Sequence, residues 1–182
     1  MTHPDFRKTK AARERISFVT CYDAPFAHLV AQTAIDAILV GDSLAMVVHG
    51  HTSTLAADLT MMTLHTAAVA RGAGEKFIVA DIPFLEHRKG LSEAVSASQA
   101  LLRAGAHAVK LEGAAGNLEL IRHLVEGGVP VMGHIGLTPQ FVNVFGGFKV
   151  QGREGAAADR IVEEAKQLEA AGVFGMVLEG VP

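Results

Sequence analysis

Three carboxylates end short apolar runs in this chain: Asp42 follows ILVG, Asp81 follows FIVA and Glu112 follows AVKL. Each run is short and, apart from Lys110 in the third, free of charged residues, as expected of a strand buried on both faces rather than of a helix. Each acid therefore falls where a strand would leave the core. Acids at corresponding strand ends suggest one site built from the carboxyl ends of a parallel sheet, where α/β folds place their ligands. Hard oxygen donors gathered in this way suit Mg²⁺, commonly shared with an anionic substrate.

A structural reading stands beside each chemical one. In GDS (41–43) Gly41 permits a sharp turn, Asp42 offers a metal ligand and Ser43 a hydroxyl; Asp and Ser are equally favoured helix N-caps. In DIP (81–83) Pro83 stops strand pairing and leaves Asp81 exposed at the strand end, or held in an Asx-turn. In KLEG (110–113) alternation puts Lys110 and Glu112 on one strand face and Val109 and Leu111 on the other. Two buried charges are costly unless paired. They form either a structural ion pair or a site in which Lys110 meets a substrate carboxylate and Glu112 a metal, directly or through water. GHIG (133–136) sets His134 between glycines, which suggests close approach to the backbone. VLEG (177–180) repeats the strand-end acid, making Glu179 a candidate general base whose pKa its neighbours would have to tune.

Other reactive side chains read more plainly. His49 and His51 share a loop with no cysteine or carboxylate to complete a zinc-like spacing, and are taken as loop or interface residues. His28, His65, His107 and His123 fall within expected elements as packing or surface positions. Cys21 is read as a small core residue. GFKVQGR (147–153) follows no phosphate-loop pattern and is expected to be a mobile lid.

The elements that must position these residues alternate along the chain. Strands are expected over 16–21, 37–41, 77–81, 107–112, 129–134 and 175–180, with helices over 24–34, 58–70, 91–104, 118–126 and 156–171. Asp58 and Asn117 are the expected N-caps. Such alternation demands right-handed crossovers and a parallel sheet, an α/β fold in a single domain over 1–182. Six strands leave two possibilities, an open doubly wound sheet or a barrel short of its eight units.

Bulk composition narrows the function. The chain has 182 residues, 49% of them hydrophobic, enough to bury a sizeable core. A net charge of −3 without a basic tract argues against nucleic acid as a partner. The start, MTHPDFRKTKAARERIS, lacks an apolar signal region, and no apolar run is long enough to span a membrane. A single cysteine excludes an internal disulfide framework. A cytoplasmic location is the expectation.

From about Phe18 to Pro182 these segments resemble the ketopantoate hydroxymethyltransferase family. The resemblance rests on YDAPFA, ILVGDSLAMVVHG, VADIPF, GAHAVKLEG, VPVMGHIGLTPQ, GGFKVQGR and VLEGVP, which occur in that order. It implies a (β/α)8 TIM barrel, of which about six βα units are present here, and homo-oligomers. It also implies transfer of a one-carbon unit from 5,10-methylenetetrahydrofolate to 3-methyl-2-oxobutanoate. By motif, Asp42 and Asp81 would bind Mg²⁺ with Glu112 at or just outside its shell, while Ser43 and Lys110 hold the substrate carboxylate. His134 would lie against the substrate, and Glu179 would be the base. Ala45 replaces the glycine usual in the family's GDSLG. The family's chains also run on past the position of Pro182, so the expectation includes a shortened chain that is inactive or needs to associate. A Mg²⁺-dependent carbon–carbon lyase or mutase acting on 2-oxo acids is the alternative enzyme.

Overall fold

In the computed structural model, which describes residues 2–182 without the side chains of residues 3 and 4, six strands alternate with helices. The chain divides into two compact units, Met1–Val109 and Lys110–Pro182. The α/β class and the order of elements are those expected from the sequence.

In the first unit β1 (Phe18–Thr20), β2 (Ala37–Val40) and β3 (Phe77–Asp81) pair in parallel, with Phe18 opposite Ala37 and Val40 opposite Ala80. Every residue of β3 is buried, as its unbroken apolar run requires. The register sets Asp42 one position beyond the level of Asp81, so both acids leave the core at the same end. The crossovers are α2 (Ala24–Ala31), a short α3 (Leu44–Val47), α4 (Leu59–Gly72) and α5 (Leu91–Arg103). Asp58 caps α4 as expected, accepting the Met61 N–H at 2.7 Å, and Asp23 caps α2 in the same way from Phe26 at 2.8 Å. Buried Met62, Thr66 and Val69 on α4, and Ala94, Ala97 and Leu101 on α5, follow helical spacing.

The first strand is shorter than its apolar run. Ser17 donates its N–H and its hydroxyl to Asp36 Oδ2, both at 2.8 Å, so this N–H is taken by a side chain. An N-terminal helix, α1 (His3–Ala11), was not expected from so polar a segment. The Thr2 N–H and hydroxyl both donate to Asp5 Oδ2 at 2.7 Å, and buried Phe6 packs on Phe77 with ring centroids 4.9 Å apart. A short polar helix is marginal alone and becomes stable through such an anchor. One aromatic in a charged stretch gives too weak a periodicity to announce it.

The division between units falls within β4 (Ala108–Glu112), whose five residues are all buried. In the second unit the chain continues through α6 (Leu118–Glu126), β5 (Val131–Gly136), α7 (Val142–Phe145), α8 (Gly155–Ala171) and β6 (Gly175–Glu179). Strands β5 and β6 are parallel, with Gly136 opposite Glu179. The fifth strand starts later than its apolar run suggests. Val129 still donates to the Leu124 carbonyl of the helix end at 2.9 Å, and Pro130 has no N–H to give a ladder. Asn117 precedes α6 without a capping bond. Its amide donates instead to the carbonyls of Glu112 and Gly113, at 3.0 and 2.9 Å, and fastens the end of β4. The segment 147–153 forms no regular element; its Gln151 N–H donates to the Gly180 carbonyl at 2.8 Å.

Candidate active site

Asp42 and Asp81, both buried, form the core of the first cluster. The Asp42 N–H donates to Asp81 Oδ2 at 3.0 Å, so the two strand ends are joined through backbone and carboxylate. Gly41 makes this approach possible. A Cβ there would stand 2.8 Å from Ser43 Oγ and 3.6 Å from Asp81 Oδ2, filling the space between them. Ser43 precedes α3 but makes no capping bond; its Oγ meets the Tyr22 hydroxyl at 2.9 Å. The cap reading of Ser43 is thereby replaced by a side-chain contact across the strand ends. Tyr22 was read only as part of the YDAPFA segment and given no role, although it is the chain's single tyrosine and directly follows the first expected strand.

The second cluster is built on His134. Its Nδ1 lies 3.2 Å from Lys110 Nζ and 3.4 Å from Glu112 Oε1, and its Nε2 lies 3.3 Å from Glu179 Oε2. Lys110, Glu112 and His134 are almost fully buried, whereas the Glu179 side chain is 46% exposed. Burial by itself pushes the His134 imidazole down. The contacts with Glu112 and Glu179 more than offset this, and the group ends above its ordinary value despite the Lys110 charge. Glu179 moves the other way: its contact with His134 holds the carboxyl below the usual range against a smaller opposing effect of burial. Glu112 Oε2 accepts the Gln140 N–H at 3.0 Å from the turn Pro139–Phe141. Gln140 was missed and Asn117 was read only as a helix cap, since nothing in their local sequence marks a backbone or amide donor aimed at β4.

The glycines around His134 serve the protein itself. A Cβ on Gly133 would stand 2.8 Å from Leu168 Cδ1, and one on Gly136, at φ +87°, would collide with the Glu179 carbonyl. That carbonyl accepts the Leu137 N–H at 2.7 Å. Close approach was the right inference from the sequence, but the approaching groups are an α8 side chain and the β6 backbone. Cys21 is buried, and burial pushes its thiol up, as suits a core residue.

Among the described residues no three His, Cys, Asp or Glu side chains are grouped to hold a metal ion. The Asp42 and Asp81 pair nonetheless fits Mg²⁺, which takes one or two carboxylates from a protein and leaves its other positions to water and substrate oxygens. Glu112 fits a direct role less well, because Oε2 already accepts a backbone N–H and Oε1 lies beside His134.

Parallel strands with acids at their carboxyl ends define a class of α/β proteins, and solved structures agree on the fold. Phosphonopyruvate hydrolase in complex with oxalate and Mg²⁺ matches with a TM-score of 0.74 at 12% identity, covering 99% of this chain and 64% of that one. A 2,3-dimethylmalate lyase, a member of the PEP mutase/isocitrate lyase superfamily, matches with a TM-score of 0.70 at 15% identity, covering 98% and 62%. The chain belongs to the ketopantoate hydroxymethyltransferase family, whose model matches residues 1–182. It is 60% identical over 178 residues to the 3-methyl-2-oxobutanoate hydroxymethyltransferase of Bdellovibrio bacteriovorus, covering 98% of this chain and 68% of that relative. The chain thus spans about two thirds of the relative's length. No helix among the described residues is long and apolar enough to cross a membrane.

Proposed function

We propose that this chain carries the residues for hydroxymethyl transfer from 5,10-methylenetetrahydrofolate to 3-methyl-2-oxobutanoate. The product would be 2-dehydropantoate, the first intermediate of pantothenate synthesis. The observation that carries this reading is the contact set of His134 with Lys110, Glu112 and Glu179. It supplies a buried cation, a proton-bearing ring and a half-exposed acid in a chain of this family.

Glu179 is assigned the C3 proton of the keto acid. Its lowered pKa means that the carboxylate is already ionised at neutral pH, and also that it is a weak base. The carbon acid must therefore be strongly acidified where it binds. Lys110 is assigned to the substrate carboxylate together with Ser43, and its charge also opposes the negative charge that develops as the proton leaves. Mg²⁺ at Asp42 and Asp81 would supply Lewis-acid stabilisation of the keto oxygen. A protein of the same fold holds oxalate with Mg²⁺, which supports this assignment. Glu112 is assigned a place just outside that ion's coordination, where it orients His134. The proton taken by Glu179 is held beside the His134 ring until it is passed on. The C3 carbon forms its new bond to the methylene carbon delivered by folate as both bonds from that carbon to folate nitrogens break. Water supplies the hydroxyl oxygen, and the two nitrogens take up the C3 proton and one proton from the water.

The test is C3–H exchange of the keto acid into D₂O, followed by proton NMR. Glu179→Gln abolishes exchange while Mg²⁺ and keto-acid binding persist; exchange at the wild-type rate overturns the assignment of the base. Tetrahydrofolate-dependent formaldehyde transfer, measured against cleavage of a 2-oxo-acid carbon–carbon bond, separates this activity from that of a lyase or mutase.

A further inference from the structure

The turn after α3 and the helix α4 bring together two histidines that the proposed reaction does not use. His49 Nε2 and His65 Nε2 lie 2.9 Å apart, with ring planes at 87°. His65 Nδ1 lies 2.6 Å from the Tyr22 carbonyl oxygen. A carbonyl oxygen only accepts, so Nδ1 carries the proton and Nε2 of the neutral ring presents its lone pair towards His49. Metal-binding histidines are held in this way, with one nitrogen donating to a backbone carbonyl and the other coordinating.

The separation fits as well. Two imidazole nitrogens bound to one ion at about 2.0–2.1 Å, with a bond angle of about 90–110°, stand roughly 3 Å apart. His49 is exposed, so an ion reaches the pair from solvent, and His65 is half-buried and pre-oriented. Without an ion, a neutral His49 donates Nε2–H to His65. An ion takes both lone pairs once the His49 proton sits on Nδ1, a change of tautomer that releases no proton. We propose that His49 and His65 form a binding site for one borderline transition-metal ion, Cu²⁺, Ni²⁺ or Zn²⁺, completed by water. Imidazole nitrogen selects these ions over Mg²⁺. The site is independent of the proposed transferase activity. It would tie the loop at His49 to α4 and, through His65, to Tyr22, whose hydroxyl meets Ser43.

The experiment is titration of the full chain with Cu²⁺ at neutral pH, read by calorimetry and electron paramagnetic resonance. The expected result is one equivalent with a two-nitrogen signature, which persists in excess Mg²⁺. His49→Ala, at an exposed position, should retain its circular dichroism and melting temperature yet bind that equivalent at least about 10-fold more weakly. His65→Gln should lose the same equivalent. An unchanged affinity and nitrogen signature in both variants overturns the proposal, as does displacement of Cu²⁺ by Mg²⁺ or the absence of any tight equivalent.

Discussion

The two clusters at the strand ends solve the problem of buried charge in different ways. In the first unit Asp42 and Asp81 are joined by a backbone N–H donating to a carboxylate, with Ser43 and Tyr22 adding hydroxyls. Carboxylate and hydroxyl oxygens gather there around a space that a glycine leaves open. In the second unit a lysine and two glutamates meet the ring nitrogens of one histidine, His134. An oxygen-rich, anionic cluster suits a hard cation. A cluster with matched charges suits proton movement, because the proton has neighbouring groups to stay on. The strand-end acids look alike in the sequence; what differs is the company each one keeps.

Three measurements test this contrast, and a fourth probes a carboxyl outside both clusters. The largest effect is expected from Glu179→Gln, which should slow C3–H exchange by roughly 10²–10⁴-fold, the usual contribution of a general base, without loosening Mg²⁺. Weaker exchange accompanied by lost metal binding would erase the distinction between the clusters. Asp81→Asn should weaken Mg²⁺ binding about 100-fold in a calorimetric titration. Its His134 NMR titration should follow the wild type in the absence of metal.

A glycine in each unit gives the third comparison. Gly136→Ala combines a positive φ with a collision at the Glu179 carbonyl, and should cost about 1–3 kcal/mol in urea unfolding. Gly41→Ala has no positive φ and presses on the movable Ser43 hydroxyl, so it should cost less and appear mainly as weaker keto-acid binding. Equal losses of stability would contradict this ranking.

The smallest effect concerns acid stability. The Ser17 N–H and hydroxyl hold the Asp36 carboxyl below its usual range. A lowered folded-state pKa stabilises the chain above the unfolded value, and this contribution is lost as pH falls through the folded value. Ser17→Ala should therefore lower the melting temperature slightly at neutral pH and converge with the wild type in acid. A difference that widened on acidification would show that the sign is wrong. The group is largely exposed, so the effect is screened and small.

Much of this was legible before any coordinates. The apolar runs marked the strands, Asp58 marked its helix start, and Asp42, Asp81, Lys110, Glu112, His134 and Glu179 stood out at strand ends. These signals are local, since they depend on periodicity and turn chemistry within a few residues. The motifs also pointed to the family that now contains the chain.

Partner choice was not legible. Ser43 was offered as a cap and instead meets Tyr22; Asn117 was offered as a cap and instead fastens β4. Helix α1 depends on Phe6 reaching Phe77, and the glycines beside His134 make room for Leu168 and the Glu179 carbonyl. His49 and His65 read as unrelated residues, yet their ring nitrogens lie 2.9 Å apart. The sequence by itself determined the kinds and order of the elements and the set of reactive residues, because hydrophobic periodicity and backbone preference act along the chain. Only the tertiary structure decided which residue each one faces, because that depends on strand register and on packing between segments far apart in sequence.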